Sequence, residues 1–98
     1  MLPKWEKNIE TLNLSHMYLA KIDVLEHFHS LRKLTLVDNC LTKIDGLHRC
    51  KLLEELSLEK NKIVHIENIS HMRYLKKLDL GRNRIKKIDN LHLLDNLT

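Results

Sequence analysis

The segment LEELSLEKNKIVHIENISHMRY, residues 53–74, contains no glycine, no proline and no cluster of residues typical of a catalytic site. Its apolar residues are spaced unevenly, and the gaps follow neither the 3.6-residue period of an α-helix nor the two-residue period of a strand throughout. These apolar residues are Leu53, Leu56, Leu58, Ile63, Ile66, Ile69 and Met72. Such spacing indicates one short strand joined to a longer irregular path that faces the same core.

The spacing recurs every 22 residues, which predicts a repeat protein. The four repeats are residues 9–30, 31–52, 53–74 and 75–96. Aligning the repeats gives seven apolar columns, and none contains a charged residue although 31% of the chain is charged. Because charged side chains are rarely buried, this exclusion predicts that all seven columns face one core.

One polar column completes the pattern, with Met17, Asn39, Asn61 and Asn83 at the same position of each repeat. An asparagine amide offers two donors and an acceptor, so it can bond the backbone of its own coil and of the next. Buried turns need such partners for their peptide groups. Met17 cannot supply them, and its place in the first coil is consistent with a terminal, capping-type repeat.

The consensus LxxLxLxxNxIxxIxxLxxLxx, carried by phrases such as LTKIDGL and LDLGRNRIKKIDNL, resembles the leucine-rich repeat of the 22-residue class. That class occurs in the nuclear regulatory subunit of the type-one protein phosphatase, in axonemal dynein light chain one and in ciliary leucine-rich repeat proteins. The resemblance implies an α/β solenoid, a right-handed leucine-rich repeat array with a short parallel sheet on its concave face.

The alternating L-x-L segment of each repeat predicts strands at residues 11–14, 33–36, 55–58 and 77–80. Successive strands would stack as a parallel sheet, and the rest of each coil would return along the outer side. Residues 24–28, 46–50 and 68–72 could form single helical or 3₁₀ turns on that return path.

Polar side chains that point outward from the predicted sheet form the candidate partner-binding surface, because nothing else in the repeats would cover that face. We expect a non-enzymatic protein-interaction scaffold that binds a protein partner there. The candidate residues are Lys33, Thr35, Val37, Asp38, Glu55, Ser57, Glu59, Lys60, Lys77, Asp79 and Arg82. The resemblance implies a regulatory or cytoskeletal role, with a phosphatase or a dynein- or tubulin-related protein as partner.

An alternative reading is a ribonucleoprotein subunit that uses a basic ridge to contact RNA or an acidic partner. This ridge consists of Lys62, Arg84, Lys86 and Lys87 beside Lys60 and Arg82. RNA-binding proteins usually add aromatic stacking platforms, and none lies near these residues in the sequence. Nucleic acid is therefore the less favoured partner.

Catalytic, metal and cofactor sites are not predicted. The chain has seven histidines, but zinc needs about four convergent ligands, and His48 and His92 share a column two coils apart. The serines lie in no nucleophile motif. Cys50 occupies an apolar column and should be an inert packed thiol, whereas Cys40 should be more exposed.

The two ends of the repeat array differ. Residues 1–8 form a predicted capping segment, in which Trp5 would cover the open end of the core. Residues 97–98 begin a truncated repeat, and Leu91, Leu94 and Leu97 are expected to be unprotected. Because an uncapped solenoid end exposes its core, the chain is expected to be a fragment, to bury this end on a partner or to self-associate through it.

The composition fits a single soluble intracellular domain, and the resemblance implies a cytoplasmic or ciliary setting, or alternatively a nuclear one. The chain has 98 residues and a net charge of +4, from 17 basic and 13 acidic residues. No segment has the length or the apolar character of a signal peptide or a membrane span. The two cysteines form no Cys-x-x-Cys motif, so a disulfide framework is not expected.

Overall fold

Four short parallel strands, one from each repeat, form a single sheet in this computed structural model, which describes residues 8–22, 25–91, 94 and 96–97. The strands are β1 (Thr11–Asn13), β2 (Lys33–Thr35), β3 (Glu55–Ser57) and β4 (Lys77–Asp79). They lie side by side in chain order, β1-β2-β3-β4. The remaining regular element is a 3₁₀ helix at Leu25–His27. This arrangement confirms the predicted solenoid with a short parallel sheet.

The strand register pairs residues that lie 22 positions apart in the sequence. Leu12 lies opposite Leu34, Leu34 opposite Leu56, and Leu56 opposite Leu78. Each strand ends one residue before its predicted end, but hydrogen bonds between neighbouring coils continue past it. The N–H of Leu36, for example, donates to the carbonyl oxygen of Ser57 at 2.9 Å. The sheet is therefore held together over more residues than the strands themselves span.

The return side of the coils is built from single turns, as the sequence predicts. The N–H of Cys50 donates to the carbonyl of Leu47, and the N–H of Met72 donates to the carbonyl of Ile69, both at 3.0 Å. These i→i+3 bonds are of the 3₁₀ type, which suits short segments between more extended backbone. Each turn buries the apolar residues that flank it, so the return path closes the core opposite the sheet.

The seven apolar columns face the core in the two middle coils, where their side chains are no more than 2% exposed. In the first and fourth coils some of these residues are buried and others half-buried, and Ile88 in the fourth coil is 76% exposed. The prediction that every column points inward is therefore wrong at Ile88, because no described residue packs over the outer side of that coil. The prediction of an unprotected Leu94 is also wrong, since this side chain is only 5% exposed. Leu91 and Leu97 are half-buried against the same core.

A buried asparagine amide joins each coil to the preceding one. The Oδ1 atom of Asn61 accepts from the N–H of Leu41 at 3.1 Å. Its Nδ2 group donates to the carbonyls of Leu36 and Leu58, both at 2.9 Å. Leu36 and Leu41 belong to the preceding coil, and Leu58 belongs to the coil of Asn61. The same pattern recurs at Asn39 and Asn83.

The direction of these hydrogen bonds explains why the first coil can have Met17 in place of an asparagine. The asparagine side chains reach back to the preceding coil, whereas the sequence analysis placed the neighbour on the following side. Met17 lies in the first of the four coils, so an amide at this position would reach back to residues before Ile9, which are not part of the four repeats. Its side chain is 54% exposed, while its backbone N–H donates to Asn39 Oδ1 at 3.1 Å. The first coil thus receives an asparagine contact without having to provide one.

A second polar column on the return side was missed by the sequence analysis. Gly46, Asn68 and Asn90 occupy the same position of successive coils, and all three have a positive φ, between 60° and 81°. Asn68 Nδ2 donates to the carbonyl of Ile44 at 2.8 Å, and Asn90 Nδ2 donates to the carbonyl of Ile66. The recurrence of glycine and asparagine, the residues that best tolerate a left-handed backbone, was the signal for this column.

At Gly46 the coils approach too closely for any side chain. A Cβ atom added to this residue would overlap the carbonyl oxygen of Ile22, in the first coil. Glycine is required here both by this approach and by a φ of 81°. The first two coils therefore meet directly through backbone at the point where later coils use an asparagine side chain.

Replacing Asn61 with alanine should lower the free energy of unfolding by about 3 kcal/mol, because buried peptide groups of two coils lose their partners. Urea unfolding followed by circular dichroism measures this change. Met17→Asn is the matched control at the same column, and it should change stability by less than about 0.5 kcal/mol. A similar loss for both variants would contradict the role assigned to the buried amide.

Gly46→Ala should destabilise the chain by at least about 3 kcal/mol, because the new Cβ atom both clashes with Ile22 and sits on a left-handed backbone. Asn68→Gly at the same column keeps the permitted φ and loses one hydrogen bond, so it should cost about 1 kcal/mol. Thermal and urea unfolding of both variants compare the two effects. Equal stability of Gly46→Ala and the parent chain would rule out the close approach of the first two coils.

Candidate protein-interaction surface

The outward side of the sheet forms a shallow open groove across three consecutive strands. It encloses about 420 Å³ and is lined by polar side chains from β2, β3 and β4. These lining side chains are Lys33, Thr35, Glu55, Ser57, Lys77 and Asp79, six of the predicted partner-binding residues. Lys33, Lys77 and Asp79 are exposed, and the other three are half-buried. The parallel register therefore brings these six residues together on one surface, which we call the sheet face.

The other five predicted residues extend this surface beyond the carboxyl ends of the strands. They are Val37, Asp38, Glu59, Lys60 and Arg82. Asp38, Lys60 and Arg82 share one column and have a φ of 54° to 58°, so the chain turns sharply there. The N–H of Asp38 donates to the carbonyl of Glu59 at 2.9 Å, and the N–H of Lys60 donates to that of Gly81 at 3.0 Å. This ladder keeps the extension continuous with the sheet face.

A ladder of ion pairs runs along the amino-terminal side of the strands. Arg32 contacts Glu10 at 2.9 Å on one side and Glu54 at 2.8 Å on the other, and Lys76 contacts Glu54 at 3.2 Å. The hydrogen bond to Glu54 raises the pKa of Arg32, followed by the bond to Glu10. The hydrogen bonds from Arg32 and Lys76 lower the pKa of Glu54. These exposed pairs neutralise one another, and each contributes little to stability.

The neighbouring column, which contains Lys33, Glu55 and Lys77, forms only one ion pair among the described residues. Glu55 lies between Lys33 and Lys77 in the register, and its carboxylate approaches Lys77 at 3.7 Å. The pairing of Lys33 with Glu55 that the alternating signs suggested is absent from the described structure. Lys33 is thus left with its ammonium group toward solvent.

Two candidate carboxylates are already engaged. Asp38 Oδ2 lies 2.9 Å from His16 Nδ1, and Asp79 Oδ1 accepts from the N–H of Gly81 at 2.9 Å. In contrast, four candidate side chains form no ion pair with any described residue. They are Lys33, Glu59, Lys60 and Arg82. These four charges are therefore the part of the surface best able to contact a partner.

The predicted basic ridge is exposed on the far side of the asparagine turns. Lys62, Arg84, Lys86 and Lys87 all present their side chains to solvent. Lys87 contacts Asp89 at 3.8 Å, which offsets one of the four charges. Lys62 and Arg84 lie on neighbouring coils in the same column. The ridge is thus a surface of modest positive charge.

The described residues contain no group of three or more histidine, cysteine, aspartate or glutamate side chains able to hold a metal ion. The predicted column partner His92 lies outside the described residues. Cys50 is buried, as its column predicted, and burial raises the pKa of its thiol from 9.0 to about 11. Cys40 is half-buried and, like Cys50, forms no disulfide. Every buried side-chain nitrogen or oxygen in the described part has a hydrogen-bond partner.

The carboxyl-terminal end of the stack carries an apolar groove of about 480 Å³. Leu78, Leu80, Ile85, Ile88, Leu91 and Leu97 contribute its apolar lining. The predicted capping residue Trp5, at the opposite end, lies outside the described residues. Within the described residues, no helix combines the length and apolar character needed to cross a membrane.

Comparison with known proteins supports the leucine-rich repeat fold. Residues 29–74 match the sequence family described as "Leucine Rich repeats (2 copies)". No curated protein matches the chain in sequence. The matched region contains β2 and β3 and the buried turn residues Asn39 and Asn61, so the family pattern and the structural repeat coincide.

Solved leucine-rich repeat structures superimpose on nearly the whole chain. An internalin, InlF, from Listeria monocytogenes covers 93% of the chain with a TM-score of 0.86 and 25% identity. Internalin C2 from the same organism covers 93% with a TM-score of 0.75 and 21% identity, and the leucine-rich repeat domain of APL1B covers 92% with a TM-score of 0.74 and 22% identity. The chain spans only 27%, 50% and 35% of those three chains, respectively. The likeness therefore concerns the fold.

Cys50 should resist alkylation by iodoacetamide at pH 8, because the buried thiol is hardly ionised well below its pKa of about 11. Cys40, which is half-buried, should be labelled first. Mass spectrometry of native and urea-unfolded protein gives the order of labelling, and the unfolded chain should react at both sites. The Cys40→Ser variant should take up no label while folded, and rapid labelling of that variant would contradict the buried position of Cys50.

Proposed function

We propose that this leucine-rich repeat chain is a non-enzymatic scaffold that binds a protein partner through the sheet face and its extension past the strand ends. Leucine-rich repeat domains in general mediate protein–protein interaction, and this coarse role follows from the fold. We propose in addition the class of partner, the residues that contact it and the cellular setting.

The observation that carries the proposal is the open groove on the sheet face. Parallel sheets are normally covered on both faces, yet here one face packs on the core and the other presents polar side chains to solvent. Backbone hydrogen bonds between coils fix the spacing of those side chains. A fixed array of exposed charges suits recognition of a complementary protein surface because little order must be gained on binding.

The size of the sheet face limits the partner's mode of binding. Four strands at a spacing of about 4.8 Å span only about 15 Å in the stacking direction. A standard interface needs about 800 Å² from each partner. A partner would therefore contact the ends or edges of the coils as well as the sheet, or would engage a longer repeat array.

The finer expectations from the resemblance are also part of the proposal. We expect an intracellular setting, cytoplasmic, ciliary or nuclear, and a partner among phosphatase, dynein-related or tubulin-related proteins. Self-association through the apolar groove at the carboxyl-terminal end is a further expectation. The resemblance to the 22-residue class supports the ciliary setting and the choice of partners, the composition supports an intracellular setting, and the apolar lining of the groove supports self-association.

Reversing Lys33, Glu55 and Glu59 together should reduce partner capture at least about tenfold, because these charges lie at the centre of the proposed contact. Tagged chain is incubated with cell extract, and captured proteins are quantified by mass spectrometry. Lys43→Glu with Glu67→Lys, on the return side, is the control and should leave capture unchanged. Matching melting temperatures establish that all variants are folded.

Capture that persists in the triple variant would show that the sheet face is not the binding site. Retention of RNA that weakens with salt, and that is lost when Arg82, Arg84, Lys86 and Lys87 are reversed, would instead favour the ribonucleoprotein alternative. Because Arg82 also belongs to the extension of the sheet face, a variant that reverses only Arg84, Lys86 and Lys87 is needed to assign RNA retention to the basic ridge.

A further inference from the structure

An uncompensated patch of positive charge lies just before the strands of the middle coils. Arg49, Lys51 and Arg73 are all exposed, and Lys51 and Arg73 share one column. None of the three forms an ion pair with a described residue. Residues 47–53 and 69–77 contain no acidic residue. With Leu52 and Tyr74, these three residues form what we call the strand-start surface.

This patch differs from the ion-pair ladder beside it. The column of Glu10, Arg32, Glu54 and Lys76 alternates in sign and neutralises itself through ion pairs. Like charges on neighbouring coils repel one another, so the pair Lys51 and Arg73 gains no stability from its position. The fourth coil carries Asp95 at this position, outside the described residues, and the patch is therefore assigned to the second and third coils.

Two exposed apolar side chains lie beside the basic residues. Leu52 is 37% exposed and Tyr74 is 55% exposed, and they occupy the same column of neighbouring coils. Both line a groove of about 510 Å³. The other lining residues are Arg32, Glu54, Lys76 and Asn96. Tyrosine and arginine are enriched among residues that dominate binding energy at interfaces, and this surface contains both.

The backbone beneath the strand-start surface is tied across three coils. The Nε2 atom of His71 is hydrogen-bonded to the carbonyl of Leu47 at 2.9 Å, which joins the third coil to the second. Asn96 Nδ2 donates to the carbonyl of Arg73 at 2.8 Å, which joins the fourth coil to the third. The N–H of Arg73 is also bonded, to the carbonyl of His71 at 3.0 Å. The surface is therefore preorganised for binding.

We propose that the strand-start surface binds an acidic peptide segment of a partner protein. Carboxylates of the segment pair with Lys51 and Arg73, and an apolar side chain lies between Leu52 and Tyr74. The positive charges of Lys51 and Arg73, which form no ion pair with a described residue, favour a negatively charged partner. The exposed Leu52 and Tyr74 favour a partner that also carries apolar side chains. This surface is separate from the sheet face, so the proposal does not depend on binding there.

Charge at the groove favours a peptide over a nucleic acid. Glu54 lines the groove, and Glu10 lies in the adjoining ion-pair ladder. A continuous phosphate backbone would pass close to both carboxylates, whereas a peptide can place its few carboxylates at Lys51 and Arg73 and an apolar side chain in the groove. Tyr74 is the one aromatic side chain among the residues that line this groove. Binding of single-stranded nucleic acid usually relies on stacking on successive aromatic residues.

The test uses a fluorescein-labelled peptide of glutamate and leucine residues, followed by fluorescence anisotropy and by NMR chemical shifts. The native chain should bind it, and the strongest shifts should fall on Lys51, Leu52, Arg73 and Tyr74. A peptide with glutamine in place of glutamate should bind at least about tenfold more weakly, because it lacks the charge. Lys51→Glu with Arg73→Glu should weaken binding of the acidic peptide to a similar extent, and Tyr74→Ala should also weaken it.

Lys62→Glu with Arg84→Glu is the matched control, since it reverses two exposed charges of one column on neighbouring coils elsewhere. It should leave peptide affinity within about twofold of native, and so should the triple variant of the sheet face. Equal weakening by the control would show attraction to net charge alone and overturn the proposal. No binding of the acidic peptide to the native chain, or tighter binding of a single-stranded RNA at the same residues, would overturn it as well.

Discussion

The stack depends on an asparagine amide at each junction between neighbouring coils, supplied by Asn39, Asn61 and Asn83. Turning the chain at the end of each strand leaves peptide groups inside the structure, where an unpaired group costs about 1–3 kcal/mol. The asparagine side chain provides two donors and an acceptor at that point, and at Asn61 all of them are used. Because the amide bonds both its own coil and the preceding one, the same contact closes the turn and sets the stacking distance. The sheet register and the core columns follow from that distance.

The same rule explains how the coils differ. Middle coils have neighbours on both sides, so their apolar columns are buried and their asparagines are only 7% exposed. The first coil dispenses with its asparagine at Met17, because the amide reaches back rather than forward. The fourth coil keeps Asn83 and its bonds, yet exposes Ile88 on its outer side. Position in the stack, rather than residue type, decides the burial of these columns.

Much of this architecture is predictable from the sequence. Burial and hydrogen bonding impose the same requirements on every repeat, so apolar residues and asparagine recur at fixed positions that are visible in the sequence. The strands, their register and the buried position of Cys50 all follow from those columns. The pairing of Glu55 with Lys77 rather than Lys33 does not, since register places the carboxylate between two equivalent cations. The close approach at Gly46 is also hidden, because it depends on the backbone path of two coils rather than on the pattern of either. For the candidate surfaces, the columns indicate which residues are exposed but carry no information about which exposed charges are already paired.

The difference between paired and unpaired charges indicates which parts of the surface are available to bind a partner. A column that alternates in sign, such as Glu10, Arg32 and Glu54, forms its own ion pairs and needs no external partner. Within the fourth coil, Lys87 and Asp89 form an ion pair of the same kind. Lys51 and Arg73 fit neither arrangement, because they carry like charges on neighbouring coils and form no ion pair with a described residue. In a solenoid whose interior positions are fixed by the repeat, an exposed charge without an ion pair inside the chain remains available for a contact with a partner. The strand-start surface and the unpaired charges of the sheet face meet this criterion, whereas the ion-pair ladder between them serves the stack itself.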